Sequence, residues 1–249
     1  MSNTTKLDVL VFGAHPDDAE LFCGGTICSM TSMGYRVGIV DLTRGELGSR
    51  GSASIRKKEA DEAAAISGVS VRSNLGLADG NIENTFDNRL SVIRVIRRHQ
   101  PKIILMNARE CRHPDHGAAS VLAGQCAFYS GLRRIETFDN GEPQNPWRPA
   151  HILEYVQAIP FEPTLVVDVS NVWEQRMASL LAFKSQFYNP DYDGTGEPDT
   201  YISNENFLKS VEARARMQGL RIVATFGEGF RYFNGPPGTS DLVAMLSHA

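Results

Sequence analysis

Cysteine is scarce in this 249-residue chain, occurring only at positions 23, 28, 111 and 126. These four have neither Cys-x-x-Cys spacing nor the density of a disulfide framework, so they read as reduced thiols of a cytoplasmic protein. No apolar run approaches the roughly 18 residues of a membrane span. Met1 to Lys6 is polar, unlike a signal peptide. Basic excess is also missing: a formal charge of −4 and a pI near 5.9 argue against a nucleic-acid partner. There is no Gly-x-Gly-x-x-Gly either. The first loop offers Gly13 and then Gly24-Gly25, with acidic residues where a pyrophosphate would sit, which argues against a dinucleotide module. Repeats, low-complexity tracts and linkers are absent. With 42% apolar residues, the chain has enough to bury a core, and one domain over 1–249 is the simplest organisation.

What is present alternates between strand-like and helix-like patterns. Leu7–Phe12 reads as a buried strand, and Ala19–Met33 as a helix with Gly34 beyond its end. A strand at Arg36–Leu42 precedes a Gly/Ser/Arg-rich loop to Ala53 and a helix from an N-cap at Ser54 to Ser67. In that helix Ile55, Ala63 and Ile66 are expected inward, with the charged residues, Arg56 and Glu59 among them, mostly outward. Val71–Leu75, Lys102–Met106, His151–Ile159 and Thr164–Val169 read as further strands. Asp87–His99, Asp115–Tyr129, Val172–Phe187 and Glu205–Gln218 read as further helices. The alternation predicts an α/β fold: a Rossmann-like, mainly parallel sheet with helices on both faces. The turn-rich stretches Phe138–Pro149 and Asn189–Thr200 are candidates for lids or subunit contacts, with plain surface loops as the equal alternative.

Two Pro-fixed polar clusters interrupt this alternation. Gly13-Ala14-His15-Pro16-Asp17-Asp18 follows the first strand, and His113-Pro114-Asp115-His116 follows the strand at Lys102–Met106. Both therefore fall at the carboxyl ends of strands, where open α/β sheets place ligands. Two polar turns capping helices would need neither the histidines nor the paired carboxylates. A catalytic zinc site wants three His, Asp or Glu ligands and one open position. His15, Asp18 and His116 meet that specification, with iron also suited to such N/O ligands. Asp17, beside a ligand but not needed as one, is the natural general base for the metal's water. Asp115 beside His113 would favour the imidazolium and fix its orientation. His113 could then donate to the oxyanion of a tetrahedral intermediate or protonate a leaving amine; the alternative is a structural histidine closing the loop.

His-Pro-Asp-Asp near the N-terminus, paired with the later Arg-His-Pro-Asp-His, resembles the zinc-dependent PIG-L/LmbE-like N-acetylglucosamine deacetylases. The likeness extends through Thr43-Arg44-Gly45-Glu46-Leu47-Gly48-Ser49-Arg50-Gly51, Arg56, Lys184-Ser185-Gln186-Phe187 and Glu228-Gly229-Phe230. The branch most resembled is the bacillithiol-biosynthesis deacetylase group. The resemblance implies removal of acetyl from an N-acetylglucosaminyl conjugate such as N-acetylglucosaminyl-malate, with zinc-bound water as nucleophile. It implies His15, Asp18 and His116 as ligands, Asp17 as base, His113 as oxyanion partner, and a homo-oligomer. Arg56 and Arg112 match arginines near substrate, where a guanidinium fork suits a carboxylate or sugar hydroxyls. Arg44 and Arg50 are weaker candidates. Two positions depart from the pattern. Phe22 replaces a small residue beside the metal loop. Cys111 replaces a tyrosine of some relatives and reads as a packed, inert thiol. Cys23 and Cys28 read as core. Trp147 and Trp173 read as packing, with Trp147 keeping a sugar-platform alternative.

Other readings are a deacetylase of chitin-derived disaccharides, an amidase on a thiol-sugar conjugate, and a non-catalytic metal- or sugar-binding protein. No nucleic-acid or membrane partner is expected.

Overall fold

The computed structural model describes residues 5–241; the first residues of the polar N-terminal stretch lie outside that range. In chain order the elements are β1 (Val9–Gly13), α1 (Asp18–Ser32), β2 (Val37–Thr43), α2 (Ala53–Ser67), β3 (Val71–Leu77), α3 (Phe86–His99), β4 (Ile103–Met106) and α4 (Pro114–Tyr129). A small hairpin, β5 (Phe138–Asp139) and β6 (Glu142–Pro143), is followed by β7 (His151–Tyr155), β8 (Leu165–Asp168), α5 (Trp173–Leu181), α6 (Glu205–Leu220) and β9 (Gly227–Tyr232).

Seven strands form one sheet in the order β3-β2-β1-β4-β7-β9-β8. The five from β3 to β7 run parallel, and β9 runs antiparallel to both β7 and β8. Because successive strand side chains point to opposite faces, each strand feeds two cores. Val9, Val11, Val37, Ile39, Leu105 and Leu153 pack on one face with Ile27 of α1, Ala63 of α2, Leu180 of α5 and Val211 of α6. Leu10, Phe12, Val40, Leu42, Ile104 and Met106 pack on the other with Val92 and Ile96 of α3 and Leu122 of α4. This is the mainly parallel sheet with helices on both faces that the alternation predicts.

The order of strands decides where a ligand can sit. From β1 the chain steps outward to β2 and β3, then returns to β4 on β1's other side and steps outward again to β7. β1 and β4, paired from Val9↔Ile103 to Val11↔Leu105, thus flank the point where strand order reverses. Their carboxyl-end loops splay apart and leave a crevice there. The two polar clusters are those loops.

Four local expectations change. The N-cap of α2 is Ser52, whose Oγ accepts from Ile55 N at 3.2 Å. This turns Ile55 to solvent, while Arg56 and Glu59 are buried because that helix face looks toward the crevice and the segment at Ser185. β7 ends at Tyr155, since Gln157 leaves the sheet to bond Ala108 N through Oε1 at 2.8 Å. The helix expected to Phe187 ends at Leu181, and Phe183 and Phe187 fill the core from the turns beyond it. β9 has no counterpart in the sequence reading: its Gly-Glu-Gly-Phe-Arg-Tyr lacks a clean apolar alternation.

Candidate active site

The crevice opens into a cavity of about 660 Å³ whose lining includes His15, Asp17, Asp18, His113 and His116. Pro16 and Pro114 stiffen the two loops. Asn107, just past β4, cross-links the loops: its Oδ1 accepts from Ala14 N at 3.0 Å and its Nδ2 donates to Asp18 Oδ2 at 3.1 Å. Sequence reading missed Asn107, although a polar residue directly after a buried strand at the switch point is a usable signal.

Asp18 is the hub. Its Oδ2 also accepts from His15 N at 3.0 Å and lies 3.7 Å from His15 Nδ1, while Oδ1 lies 3.1 Å from His116 Nε2. Burial alone would raise its pKa, but the two histidines outweigh burial and hold the carboxyl well below its usual range. Burial likewise works against charge on His116, and Asp18 reverses it, pushing the imidazole up to about 9. His15 is raised in the same way, burial being overcome by Asp115, Asp18 and Asp79. Histidines ligate a metal as neutral imidazoles, so a divalent ion bound here would take the place of the imidazole protons opposite the Asp18 carboxylate.

Donor geometry puts His113 where Asp18 was expected in the trio that one ion could join. His15, His113 and His116 each offer a nitrogen, all within 4.8 Å of one another, and Asp18 touches both outer histidines. Two imidazoles and a carboxylate are ligands suited to zinc or iron. A second trio, His15, Asp79 and Asp115, meets the same distance criterion. Asp79 follows β3 and was absent from the sequence reading; its Oδ1 is 3.1 Å from His15 Nε2. That contact, after the opposing pull of burial, helps bring Asp79 down to about 2.

Asp17 stands apart from this hub. It enters α1 with φ of 122°, a left-handed value that costs a non-glycine residue about 1–3 kcal/mol. The strained backbone turns its side chain away from Asp18 toward Arg56, whose Nη2 meets Asp17 Oδ2 at 3.0 Å. The same guanidinium donates to Pro16 O at 2.5 Å and to Gly45 O at 3.3 Å. Gly45 has φ of +66°, and a side chain there would collide with the Arg56 guanidinium. Burial lifts Asp17 to about 7 even against the pull of Arg56. Arg56, expected beside substrate, lines the cavity and is also bound to Asp17 and the loops around it.

Asp115 departs from expectation. Its Oδ2 accepts from Gly80 N at 2.8 Å and lies 3.1 Å from His15 Nε2, so its carboxylate serves His15 rather than the His113 ring. His113 instead caps α4, Nδ1 accepting from Asp115 N at 3.3 Å, with its ring stacked 5.1 Å from that of His116. Burial, then His15 and His116, keep His113 below the usual histidine value. The expected imidazolium held by Asp115 is therefore not the arrangement found.

The outer wall carries Phe22, Arg112, Cys111, Gln186, Tyr201, Phe207 and Arg214. Cys111 is no inert core thiol: Sγ lies 3.1 Å from His116 Nδ1, which Gln157 Nε2 also approaches at 2.9 Å. Arg112 reaches the rim with its guanidinium 4.5 Å from the Tyr201 ring centre. Arg44 and Arg50 do not line the cavity, and Arg50 is tied to Ser185 O at 2.9 Å. Trp147 donates to Pro101 O at 2.8 Å, far from any platform role, and its loop packs on α3 through Arg98–Asp139. The 189–200 loop does approach the site: Glu197 accepts from Gly51 N at 2.9 Å, and Thr200 lines the cavity.

Strand order, crevice and donor set together describe a hydrolase-like centre, and comparison places the chain more closely. Residues 10–127 match the family model of PIG-L, GlcNAc-PI de-N-acetylase. The crystal structure of the conserved protein TT1542 from Thermus thermophilus is 34% identical, covers 95% of this chain and 97% of its own, and superimposes with a TM-score of 0.80. The chain belongs to the PIG-L family. It is 28% identical to the diacetylchitobiose deacetylase of Thermococcus kodakarensis over 91% of this chain and 83% of that protein. It is 26% identical to the 4-oxalmesaconate hydratase of Pseudomonas putida over 76% and 78%. With a probable N-acetyl-alpha-D-glucosaminyl L-malate deacetylase of Bacillus cereus it shares 27% over 72% and 83%.

Proposed function

We propose that this protein is a metal-dependent amidohydrolase that removes the acetyl group from an N-acetylglucosaminyl conjugate. The observation that carries the reading is the pairing of a three-donor site with a buried carboxylate beside it that is not itself needed as a donor. His15, Asp18 and His116 would hold zinc or another divalent ion such as iron. A bound ion there supplies Lewis acidity toward an amide carbonyl and lowers the pKa of water.

The chain's own residues do the rest. Asp17 Oδ2 is held by Arg56, and Oδ1 has no protein partner among the described residues, so it can take a proton from water and return it to the leaving amine. Arg56 fixes that carboxylate's direction. His113, neutral at rest, presents its imidazole over the same space as an oxyanion donor. Asp115 and Asp79 orient His15. Products are acetate and a free amine.

N-acetylglucosaminyl-malate, the bacillithiol precursor, is the proposed substrate, supported by the Bacillus relative; diacetylchitobiose is the competing conjugate, supported by the Thermococcus relative. Four free cysteines fit a reducing, cytoplasmic setting. A homo-oligomer would cover Met217, Leu220 and Val223, which are 70%, 80% and 98% exposed. The hydratase relative favours a second reading, addition of water to a double bond in a carboxylate-bearing substrate, using the same base.

The test is acetate release from both conjugates by metal-replete protein, with His116→Ala beside it. Release lost in the variant supports the reading. A protein that holds one metal yet releases acetate from no N-acetyl sugar overturns it.

A further inference from the structure

Each of the buried side chains of Arg56, Arg72, Arg97 and Arg176 meets at least one oxygen of the protein. Arg56 meets Asp17, Arg72 meets Asp41 and Glu20, Arg97 meets Ser130 O and Leu132 O, and Arg176 meets Leu21 O. Arg214, on α6, is the exception in the cavity wall. Among the described residues it has no hydrogen bond and no ion pair. Its guanidinium is flanked only by rings, 5.4 Å from the Phe22 centre and 6.0 Å from that of Phe207. Its N–H donors and full charge meet no acceptor among the described residues and open to the solvent of the cavity instead.

A ligand bearing acceptors can therefore pair with this guanidinium without breaking any bond inside the protein. Burial, assisted by the neighbouring positive charge of Arg176, brings Arg214 down only to about 10, so it stays charged at neutral pH. Arg112 stands nearby on the same aromatic wall: it covers Tyr201, whose ring meets Phe207 at 5.3 Å. It too has no acceptor among the described residues. The cavity therefore carries carboxylates and histidines at its floor and, across an aromatic wall, two guanidinium groups without a protein acceptor among the described residues. Phe22 joins the two ends, since its ring lies edge-on to His116 at 6.1 Å. The cations thus sit a short step from the reacting centre.

We infer that Arg214 is the anion-recognition residue of this cavity: it receives a carboxylate or phosphate carried by the substrate at the end remote from the bond that is cleaved, with Arg112 closing on the same group from the rim. Phe22 and Phe207 hold the guanidinium fork in one plane, which suits bidentate capture of a planar carboxylate. The inference rests on the proposed deacetylase reading for which bond is cut. The anion site itself does not depend on that reading. It also decides between the two conjugates, since diacetylchitobiose is neutral and N-acetylglucosaminyl-malate is not.

Two measurements on metal-loaded full-length protein test it. Calorimetric titration with L-malate, and separately with inorganic phosphate, should give binding that weakens roughly tenfold or more in Arg214→Gln and less in Arg214→Lys. The tighter of the two anions identifies the source. The ratio of kcat/KM on N-acetylglucosaminyl-malate to that on diacetylchitobiose should fall by a similar factor in Arg214→Gln, chiefly through KM. Anion affinity and substrate ratio both within twofold of the parent in either variant overturn the inference, as does an equal loss on both substrates. Anion affinity lost in Arg214→Gln while the parent hydrolyses neither conjugate keeps the anion site and overturns the deacetylase reading alone.

Discussion

Arg56 Nη2 lies 3.0 Å from Asp17 Oδ2, and both side chains are nearly sealed from solvent, at 5% and 8% exposure. One guanidinium thereby fixes the carboxylate with an unused oxygen, the backbone of the loop that carries it, and the Gly45 turn opposite. Removing one member of a buried pair leaves the other charge unanswered, at about 3 kcal/mol or more. Arg56→Gln should therefore lower thermal stability by roughly that amount and cut kcat more than it raises KM. A KM effect alone would return Arg56 to the substrate-binding role first read from the sequence.

Asp17→Asn keeps the size of the side chain and its contact with Arg56 while removing the base. Turnover should fall on the order of 10²–10⁴-fold with metal content unchanged. Metal analysis alongside steady-state rates checks both halves, and a fully active variant sinks the assignment.

Metal removal should act on the fold as well as on activity. Asp18, His15 and His116 pack together as mutually attracting charges, and a chelator leaves that charge cluster to hold itself. Melting temperature should rise on adding zinc to stripped protein, by mass action, and Asp18→Asn should abolish the rise. Stripped protein whose melting is indifferent to zinc would count against a site at these residues.

The cysteines give a prediction with a definite sign in pH. Burial pushes Cys28 and Cys126 up to about 12, and Cys23 higher than its usual range. A thiol at 12 is ionised in about one molecule in ten thousand at pH 8, and raising pH to 9 gains only tenfold. Cys111 lies on the cavity wall. Iodoacetamide at pH 8 should therefore add one group per folded chain, at Cys111, read by peptide mass spectrometry. Modification at the other three would contradict their burial.

Much of this architecture was legible because it is local. Strand-then-cluster patterns at Val9–Gly13 and Ile103–Met106 locate the crevice, since apolar runs and Pro-fixed turns are written in neighbouring residues. What escaped is long-range. Arg56 was read as a substrate arginine on a mostly solvated helix face, and only folding shows it buried against Asp17. Asp79 and Arg214 belong to no motif and gain meaning from what lies across the cavity. β9 was hidden because a strand inserted between two partners takes its stability from pairing rather than from its own alternation.

Glu228 on that strand links distant times as well as distant positions. Its carboxylate accepts from Gly25 N at 2.8 Å and from Thr26 N and Oγ1 at 2.7 Å, across sequence separations of 203 and 202 residues. The helix that begins with Asp18 is thus completed by a strand made long after it. The 13–18 loop is synthesised well before the strand that braces the helix behind it, and pairings of such high sequence separation are slow to form. A nascent chain arrested before residue 228 would carry the His15 loop ahead of a helix still lacking its anchor. The site would gain its last brace when β9 slides between β7 and β8.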